Sequence, residues 1–209
     1  MFILKARNKP EAGRGPHPSP PVLFILLILI LLNACSRSNV TIVIQTELGD
    51  IQAELYPGKA PLTTANFIDL IERGTYRDAI FYRTVRMDNQ PENKTRIEVI
   101  QGGLFHDSLV ERIPPIPHET TEMTGIHHLD GTISMARMEP GTASSEFFIC
   151  IGDQPELDFN GKRNPDLQGF SAFGRVSSGM DIIRKIQAMQ DSSQYLVQPV
   201  RIVDISVLP

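Results

Sequence analysis

Short runs rich in β-branched residues recur along this chain, with only two stretches of helical periodicity among them, and that pattern restricts it to folds built from paired strands. Residues 41–46 and 51–55 read as a hairpin, because the intervening Glu47-Leu48-Gly49-Asp50 ends in a Gly-Asp turn signal. After Pro61, Thr63 or Thr64 offers a cap for a helix that gathers Phe67, Ile68, Leu70 and Ile71 on one side and stops at Gly74. A second helix is expected over 180–189, where Ile182, Ile183 and Ile186 form a stripe, and the run 200–208 is again strand-like. Many short strands and two helices point to a barrel or sandwich with helical caps. Periodicity goes no further.

The N-terminus follows a different logic. Residues 1–21 hold Lys5, Arg7, Lys9 and Arg14 against the single acid Glu11, and an 11-residue apolar run follows over 22–32. A spanning helix needs about 20 apolar residues, so this run has the length of a signal-peptide core. It ends at Leu32-Asn33-Ala34-Cys35-Ser36, which resembles the bacterial lipobox. The expectation is a removed lipoprotein-type signal over 1–34, a lipidated Cys35 on a short tether over 35–39, and a folded domain over 40–209. Acyl chains then hold an exported protein to a membrane surface, facing the periplasm or the cell surface, each buried methylene contributing about 0.8 kcal/mol.

Without residues 1–34 the chain carries 16 Lys+Arg against 23 Asp+Glu, a formal charge of −7. That balance excludes nucleic acid as a partner, since phosphate binding needs clustered cations. Cys150, set in the apolar run 147–151, reads as a buried small hydrophobe. The histidines show no zinc spacing: His106 and His118 are isolated, and His127 and His128 would face opposite sides of a strand. Ser144 lies in Gly141-Thr142-Ala143-Ser144-Ser145, which lacks the nucleophile elbow of a serine hydrolase.

Four strings carry the chemistry: Phe81-Tyr82-Arg83, Gln101-Gly102-Gly103, Ser134-Met135-Ala136-Arg137 and Ser145-Glu146-Phe147-Phe148-Ile149. They combine a fixed cation, an amide and an apolar floor, which is equipment for gripping a peptide. In order, spacing and flanks they resemble the cyclophilin family of peptidyl-prolyl cis-trans isomerases, over residues 40–208. The resemblance implies an all-β fold with two capping helices, a closed eight-stranded antiparallel barrel. It also implies a monomer that acts on proline-containing polypeptides without cofactor or metal.

By position, Arg83 matches the catalytic arginine and Gln101 the amide that holds the substrate backbone. Phe148, Val99 and Leu157 match the walls of the proline pocket, and Ala136 lines the groove for the residues before proline. Arg137, Glu146 and Phe170 complete the expected substrate-binding set, while Phe147, one residue out of phase with Phe148 on a strand, points into the core. Such a site needs no nucleophile. Conjugation opposes rotation of a peptide bond by about 18–20 kcal/mol, and a guanidinium, charged at every working pH, can favour the twisted amide.

Several positions depart from the best-known pattern of that family. Glu146 replaces a groove glutamine, Glu98 stands where an aromatic is common, Phe170 where a histidine is common, and Glu156 near a position often held by Trp or Phe. The expected result is an acidic rim that favours Lys or Arg beside the proline, with a weakened fit for cyclosporin. Residues 86–98 make the segment after Arg83 roughly ten residues longer than usual, which reads as a protruding loop beside the groove. The competing reading is a tethered peptide-binding or chaperone module with weak or no turnover.

Overall fold

The computed structural model describes residues 38–209, so the expected signal segment, Cys35 and the start of the tether lie outside the described residues. Nine strands follow in chain order: β1 (Val40–Thr46), β2 (Gly49–Leu55), β3 (Ile80–Val85), β4 (Val99–Gly103), β5 (Thr132–Met135), β6 (Phe147–Cys150), β7 (Ser171–Ser178), β8 (Asp191–Ser192) and β9 (Tyr195–Val207). Eight of them form a ring in the order β1-β2-β7-β5-β6-β4-β3-β9, closed by pairing of β9 with β1, and every pairing is antiparallel. This is the expected eight-stranded barrel, and closure leaves it no free edge. β8 stands outside the ring as the two-residue hairpin partner of β9.

The interior is filled by alternate residues of these strands, among them Ile42, Ile44, Ile51, Ala53, Leu55 and Ile133, all fully buried. Two helices add to it, α1 (Pro61–Glu72) and α4 (Met180–Gln187); α2 (Asp107–Val110), α3 (Thr121–Thr124) and a 3-10 turn at Pro155–Leu157 are single turns that periodicity did not reveal. From α1, Phe67 meets Tyr76, Phe147 and Phe173 with ring centroids 5.0–5.4 Å apart. Burying one such side chain is worth about 2–3 kcal/mol. α4 contributes Ile183 and Ile186 at helical spacing.

Two local expectations shift. The first turn is Glu47-Leu48, and Gly49-Asp50 already belongs to β2, because Thr46 Oγ closes the hairpin by donating to the Gly49 carbonyl at 2.6 Å and accepting from Leu48 N–H at 3.1 Å. Nor does Thr63 or Thr64 cap α1. The N-cap position is Ala60, with no side-chain cap of its own. The helix is capped from a distance: the buried Glu119 carboxylate accepts from Leu62 N–H (3.2 Å), Thr63 N–H (2.8 Å) and the Thr63 hydroxyl (2.7 Å). An anion at this position also opposes the positive end of the helix dipole.

Glu119→Ala strands these donors in a buried site, where a hydrogen bond to a charged group is worth about 1.5–3 kcal/mol. The expected loss, read from urea unfolding followed by circular dichroism, is about 3 kcal/mol, whereas Thr63→Ser, which keeps the hydroxyl, changes stability by less than about 1 kcal/mol. Equal effects of the two substitutions would contradict capping by Glu119.

Candidate functional site

Strict alternation along β3 would put Arg83 on the same side as Phe81, inside the barrel. The ladder prevents this. Phe81 pairs with Gly102 and Arg83 with Gln101, so Tyr82 is an extra residue, and the register shifts across it as in a β-bulge. Phe81 therefore packs in the interior, while both Tyr82 and Arg83 turn outward. Gly102 faces Phe81, and a Cβ there would lie 2.8 Å from the ring.

β3, β4 and β6 consequently have two apolar faces. One belongs to the barrel core. The other carries a second cluster of Val85, Ile97, Val99, Phe148, Cys150 and Leu157, against which Ala136 and Phe170 pack. Phe147 and Phe148 divide between these faces as strand alternation demands, and Cys150 is a fully buried thiol beneath the outer cluster. The outer cluster floors a cavity of about 370 Å³ lined by Arg83, Gln101, Val99, Ala136, Arg137, Phe148, Leu157 and Phe170, eight of the nine residues expected to act on substrate. Glu146, the ninth, lines an adjoining cavity of about 230 Å³ that shares Tyr82, Gln101, Ala136 and Arg137. A further recess of about 400 Å³, at Thr121, His127, Glu156 and Lys162, contains none of them.

Hydrogen bonds fix the polar residues in one orientation. Arg83 Nη1 donates to Gln101 Oε1 (2.9 Å), Gln101 Nε2 donates to the Tyr82 hydroxyl (2.6 Å), and that hydroxyl donates to Glu146 Oε2 (2.7 Å). Glu146 Oε1 accepts from Leu104 N–H at 2.6 Å. Burial, aided by the nearby Glu146 charge, pushes the Tyr82 pKa far up, so Tyr82 remains a donor. Burial also raises the Glu146 pKa, against the hydrogen bond from Tyr82. Gly103, at φ +146°, is the residue that makes room: a Cβ at this position would collide with the Glu146 carboxylate.

On its other side Arg83 meets Gln194, whose Oε1 accepts from Nε (3.1 Å) and Nη2 (2.6 Å). Gln194 belongs to the tight β8–β9 turn, where Ser193 and Gln194 both have positive φ (52° and 73°), the conformation of a type I′ hairpin. The register between β3 and β9 jumps from Val200 to Tyr195, which frees this hairpin to reach the cavity, and Pro199 lies within the jump, where no ladder N–H is required. Nothing in the local sequence marks Gln194 as part of the site. Its role comes from the bulge.

The charge layout corrects the expected acidic rim. Glu98 and Glu156 do not line the cavity: Glu98 accepts from Gln187 Nε2 (3.3 Å), and Glu156 accepts from Lys162 N–H (2.8 Å). Glu146 is engaged by Tyr82 and Leu104. Arg137 lines the cavity as expected and is also a clamp. Its guanidinium pairs with both Asp166 oxygens (2.8 and 2.9 Å), donates to the Gly169 carbonyl and lies 5.1 Å from the Phe170 ring, holding the 158–170 loop over the floor. The hydrogen bonds from Arg137 hold the Asp166 carboxyl below its usual range.

Residues 86–98 do not simply protrude either. They wrap around the buried Gln90, whose Nε2 donates to the carbonyls of Arg86 and Ile97 (both 2.7 Å). The loop thereby lays Ile97 into the cavity wall.

A family model described as cyclophilin type peptidyl-prolyl cis-trans isomerase/CLD matches residues 41–207. The chain is 31% identical to a peptidyl-prolyl cis-trans isomerase of Acinetobacter baylyi, over 88% of this chain and 93% of the relative. It is 34% identical to peptidyl-prolyl cis-trans isomerase A of Dickeya dadantii, over 82% and 86%. In fold it is similar to the crystal structure of a cyclophilin type peptidyl-prolyl cis-trans isomerase of Cryptosporidium parvum, with a TM-score of 0.66 at 21% identity, covering 82% of this chain and 99% of that one.

Beneath the floor the two adjacent histidines converge rather than diverge, because residues 126–129 form no strand. His127 Nδ1 and His128 Nδ1 both meet the Asp158 carboxylate, at 2.8 and 2.6 Å. His128 is buried, stacks on Phe148 at a centroid distance of 5.9 Å, and places Nε2 3.0 Å from Ser134 Oγ. A carboxylate only accepts, so Nδ1 carries the proton, and in a neutral ring Nε2 accepts from Ser134. Burial lowers the His128 pKa despite the hydrogen bond to Asp158. For Asp158 burial acts upward, but the hydrogen bonds from His128 and His127 outweigh it and the net shift is down.

Both shifts have the same sign for stability. The unfolded chain binds a proton at His128 below about pH 6.5 while the folded chain still resists it, so stability falls on acidification from there. The Asp158 contribution is lost later, below about pH 4. Half-buried His118, also lowered by burial, adds to the first phase. Urea unfolding at pH 7.5, 6.0 and 5.0 is expected to show this decline, and His128→Asn to remove most of the pH 5–7 slope. An unchanged slope in the variant would refute the assignment.

Proposed function

Because the chain belongs to the cyclophilin-type peptidyl-prolyl cis-trans isomerase family, we propose that it speeds rotation about X-Pro bonds of exported proteins, with Arg83 stabilising the twisted amide. The observation that supports this most is the convergence of Arg83, Gln101 and the apolar floor of Val99, Phe148 and Leu157 on one cavity. The proline ring packs on that floor. Of the five N–H donors of a guanidinium, three are spent on Gln194 and Gln101, which leaves one on each terminal nitrogen of Arg83 for the peptide. Gln101, its oxygen held by Arg83 and its amide by Tyr82, retains one N–H for a substrate carbonyl.

In the planar ground state the proline nitrogen lone pair is conjugated and offers little to a donor. As the bond twists, the nitrogen becomes pyramidal and the lone pair becomes an acceptor beneath the guanidinium. The interaction is thus stronger in the transition state than in the ground state, which is the condition for raising kcat. Gln194 is a positioning residue in this scheme, because its oxygen aims Arg83 without taking the remaining donors. A second reading, a tethered peptide-binding module with weak turnover, draws on the same contact, since Gln194 already occupies two of the donors.

Location is part of the proposal. The apolar run 22–32 and the Leu32-Asn33-Ala34-Cys35 string support export, removal of residues 1–34 and acylation of Cys35, with the domain held near the lipid by a short tether. The mature negative charge supports proteins rather than nucleic acid as clients.

NMR exchange spectroscopy on proline peptides separates the two activity readings. Arg83→Ala is expected to lower kcat/KM by about 10²–10³-fold, with peptide affinity changed far less. Gln194→Ala is expected to lower kcat by about tenfold at constant KM. Peptide binding without enhanced exchange in the wild type would favour the module instead. For location, intact mass spectrometry of the membrane fraction is expected to show a diacylglyceryl group on Cys35, and Cys35→Ser to move the protein into the soluble fraction. An unmodified mature chain would remove the anchor.

A further inference from the structure

The cavity over the apolar floor is lined by three guanidiniums, Arg83, Arg137 and Arg163, and by no carboxylate. This local excess sits on a chain with more acidic than basic residues. Arg137 is neutralised by Asp166. The other two are not: among the described residues neither Arg83 nor Arg163 has a carboxylate oxygen within 4.0 Å. Both rest on neutral oxygens. Arg163 Nη1 donates to Gln90 Oε1 (2.9 Å) and the Thr95 carbonyl (2.7 Å), which leaves Nε and Nη2 without a partner, and its backbone N–H is anchored on Glu156 O.

Two like charges share one recess without a counter-ion. The carboxylates that lie near in sequence are committed elsewhere: Glu156 accepts from Lys162 N–H, Asp158 is held by the two histidines, and Glu98 accepts from Gln187. Burial lowers the Arg163 pKa and the charge of Arg83 pushes it the same way, in keeping with an unbalanced pair of cations. An anion entering the cavity would relieve that imbalance and accept in the guanidinium plane, the geometry arginine provides for carboxylates.

Position narrows the carrier of that anion. The residues before proline are expected in the groove that runs from Ala136, shared by both cavities, toward Glu146 in the adjoining one, and Arg163 lines only the cavity over the floor. We propose that this site selects prolyl peptides bearing a carboxylate immediately after the proline ring, either an Asp or Glu side chain or the terminal carboxylate of a C-terminal proline, bound by Arg163 beside Arg83. The proposal rests on the isomerase reading for the direction in which the peptide lies. Arg163 is then the residue that sets specificity, and the selected clients carry charge opposite to that expected from an acidic rim.

The test compares acetyl-Ala-Ala-Pro-X-Ala-amide with X as Glu, Gln or Lys, and acetyl-Ala-Ala-Pro as free acid or amide, using NMR exchange for turnover and chemical-shift titration for affinity. A charge-assisted hydrogen bond predicts a preference of about tenfold for Glu over Gln, or for free acid over amide, with Lys poorest. Whichever pair shows the preference identifies the source of the carboxylate. The preference should shrink by about twofold or more as salt rises from 0.05 to 0.5 M.

Arg163→Gln should bring the charged-to-neutral ratio to about one, and Arg163→Lys should keep part of it. Because each ratio is taken within one variant, loosening of the 86–98 loop by loss of the Gln90 contact does not mimic the effect. Ratios near one in both pairs with the wild type, or a preference that survives Arg163→Gln, would overturn the proposal. Absence of exchange with every peptide would remove the isomerase reading instead, and the affinity ratios would still decide the specificity.

Discussion

One extra residue in one strand makes this surface a site. Tyr82 interrupts the alternation of β3, so Phe81 stays in the core while Arg83, which would otherwise face the interior, reaches the outer face beside Gln101. A buried, unpaired guanidinium inside the barrel would be prohibitively costly. The bulge turns it out over a second apolar cluster, and the same feature puts the Tyr82 hydroxyl where it can meet both Gln101 and Glu146. The rest of the cavity is arranged around that choice: glycine at 102 where the Phe81 ring presses on the neighbouring strand, and glycine at 103 where the Glu146 carboxylate passes.

The guanidinium is fixed by neutral partners, and this is physically consequential. A carboxylate at Gln101 or Gln194 would hold Arg83 more tightly but would also cancel the field that a developing lone pair should feel. Amide oxygens orient without neutralising. Burial lowers the Arg83 pKa somewhat, yet a guanidinium starts so high that it remains charged. The two residues that do form strong ion pairs near the cavity, Arg137 with Asp166 and Arg86 with Asp191, serve architecture: one clamps the loop above the floor, and the other ties the segment after β3 to the β8–β9 hairpin that delivers Gln194. Charge is thus neutralised where shape is needed and left open where a ligand is to be gripped.

How far the sequence could be read follows the same division. Strand alternation and the two apolar helical stripes were legible because they report burial, and they led as far as a barrel or sandwich, the closed eight-stranded barrel following from the family resemblance; the separate fates of Phe147 and Phe148 were legible from the same alternation. The four strings identified the floor and the Arg83–Gln101 pair as a set. What remained hidden was long-range. Glu119 caps α1 across 56 residues, Gln194 reaches Arg83 across 111, and Arg163 finds Gln90 across 73, so no local window contains these pairs. The rim residues were misread for a related reason. Glu98 and Glu156 occupy positions next to site residues in sequence, but on a strand or a tight turn the neighbour of an inward residue points elsewhere.

The floor itself argues that the loops and the barrel are one mechanical unit around the cavity. Phe148 is backed by the neutral His128 ring, which is locked between Asp158 below the 3-10 turn and Ser134 on β5. Phe148 also meets Phe170 in a T-shaped contact at a centroid distance of 5.2 Å, and Phe170 is held by Arg137. A ring fixed on both sides in this way gives a proline a flat, preformed surface, so little ordering entropy has to be spent when the peptide docks. In the proposed isomerisation, rotation about the bound amide would proceed against this preformed floor, with the rest of the substrate on the open side facing Arg83. On that proposal a fixed wall opposite a fixed cation would distinguish the twisted from the planar bond, because Arg83 is held by Gln101 and Gln194 and Phe148 by its packing.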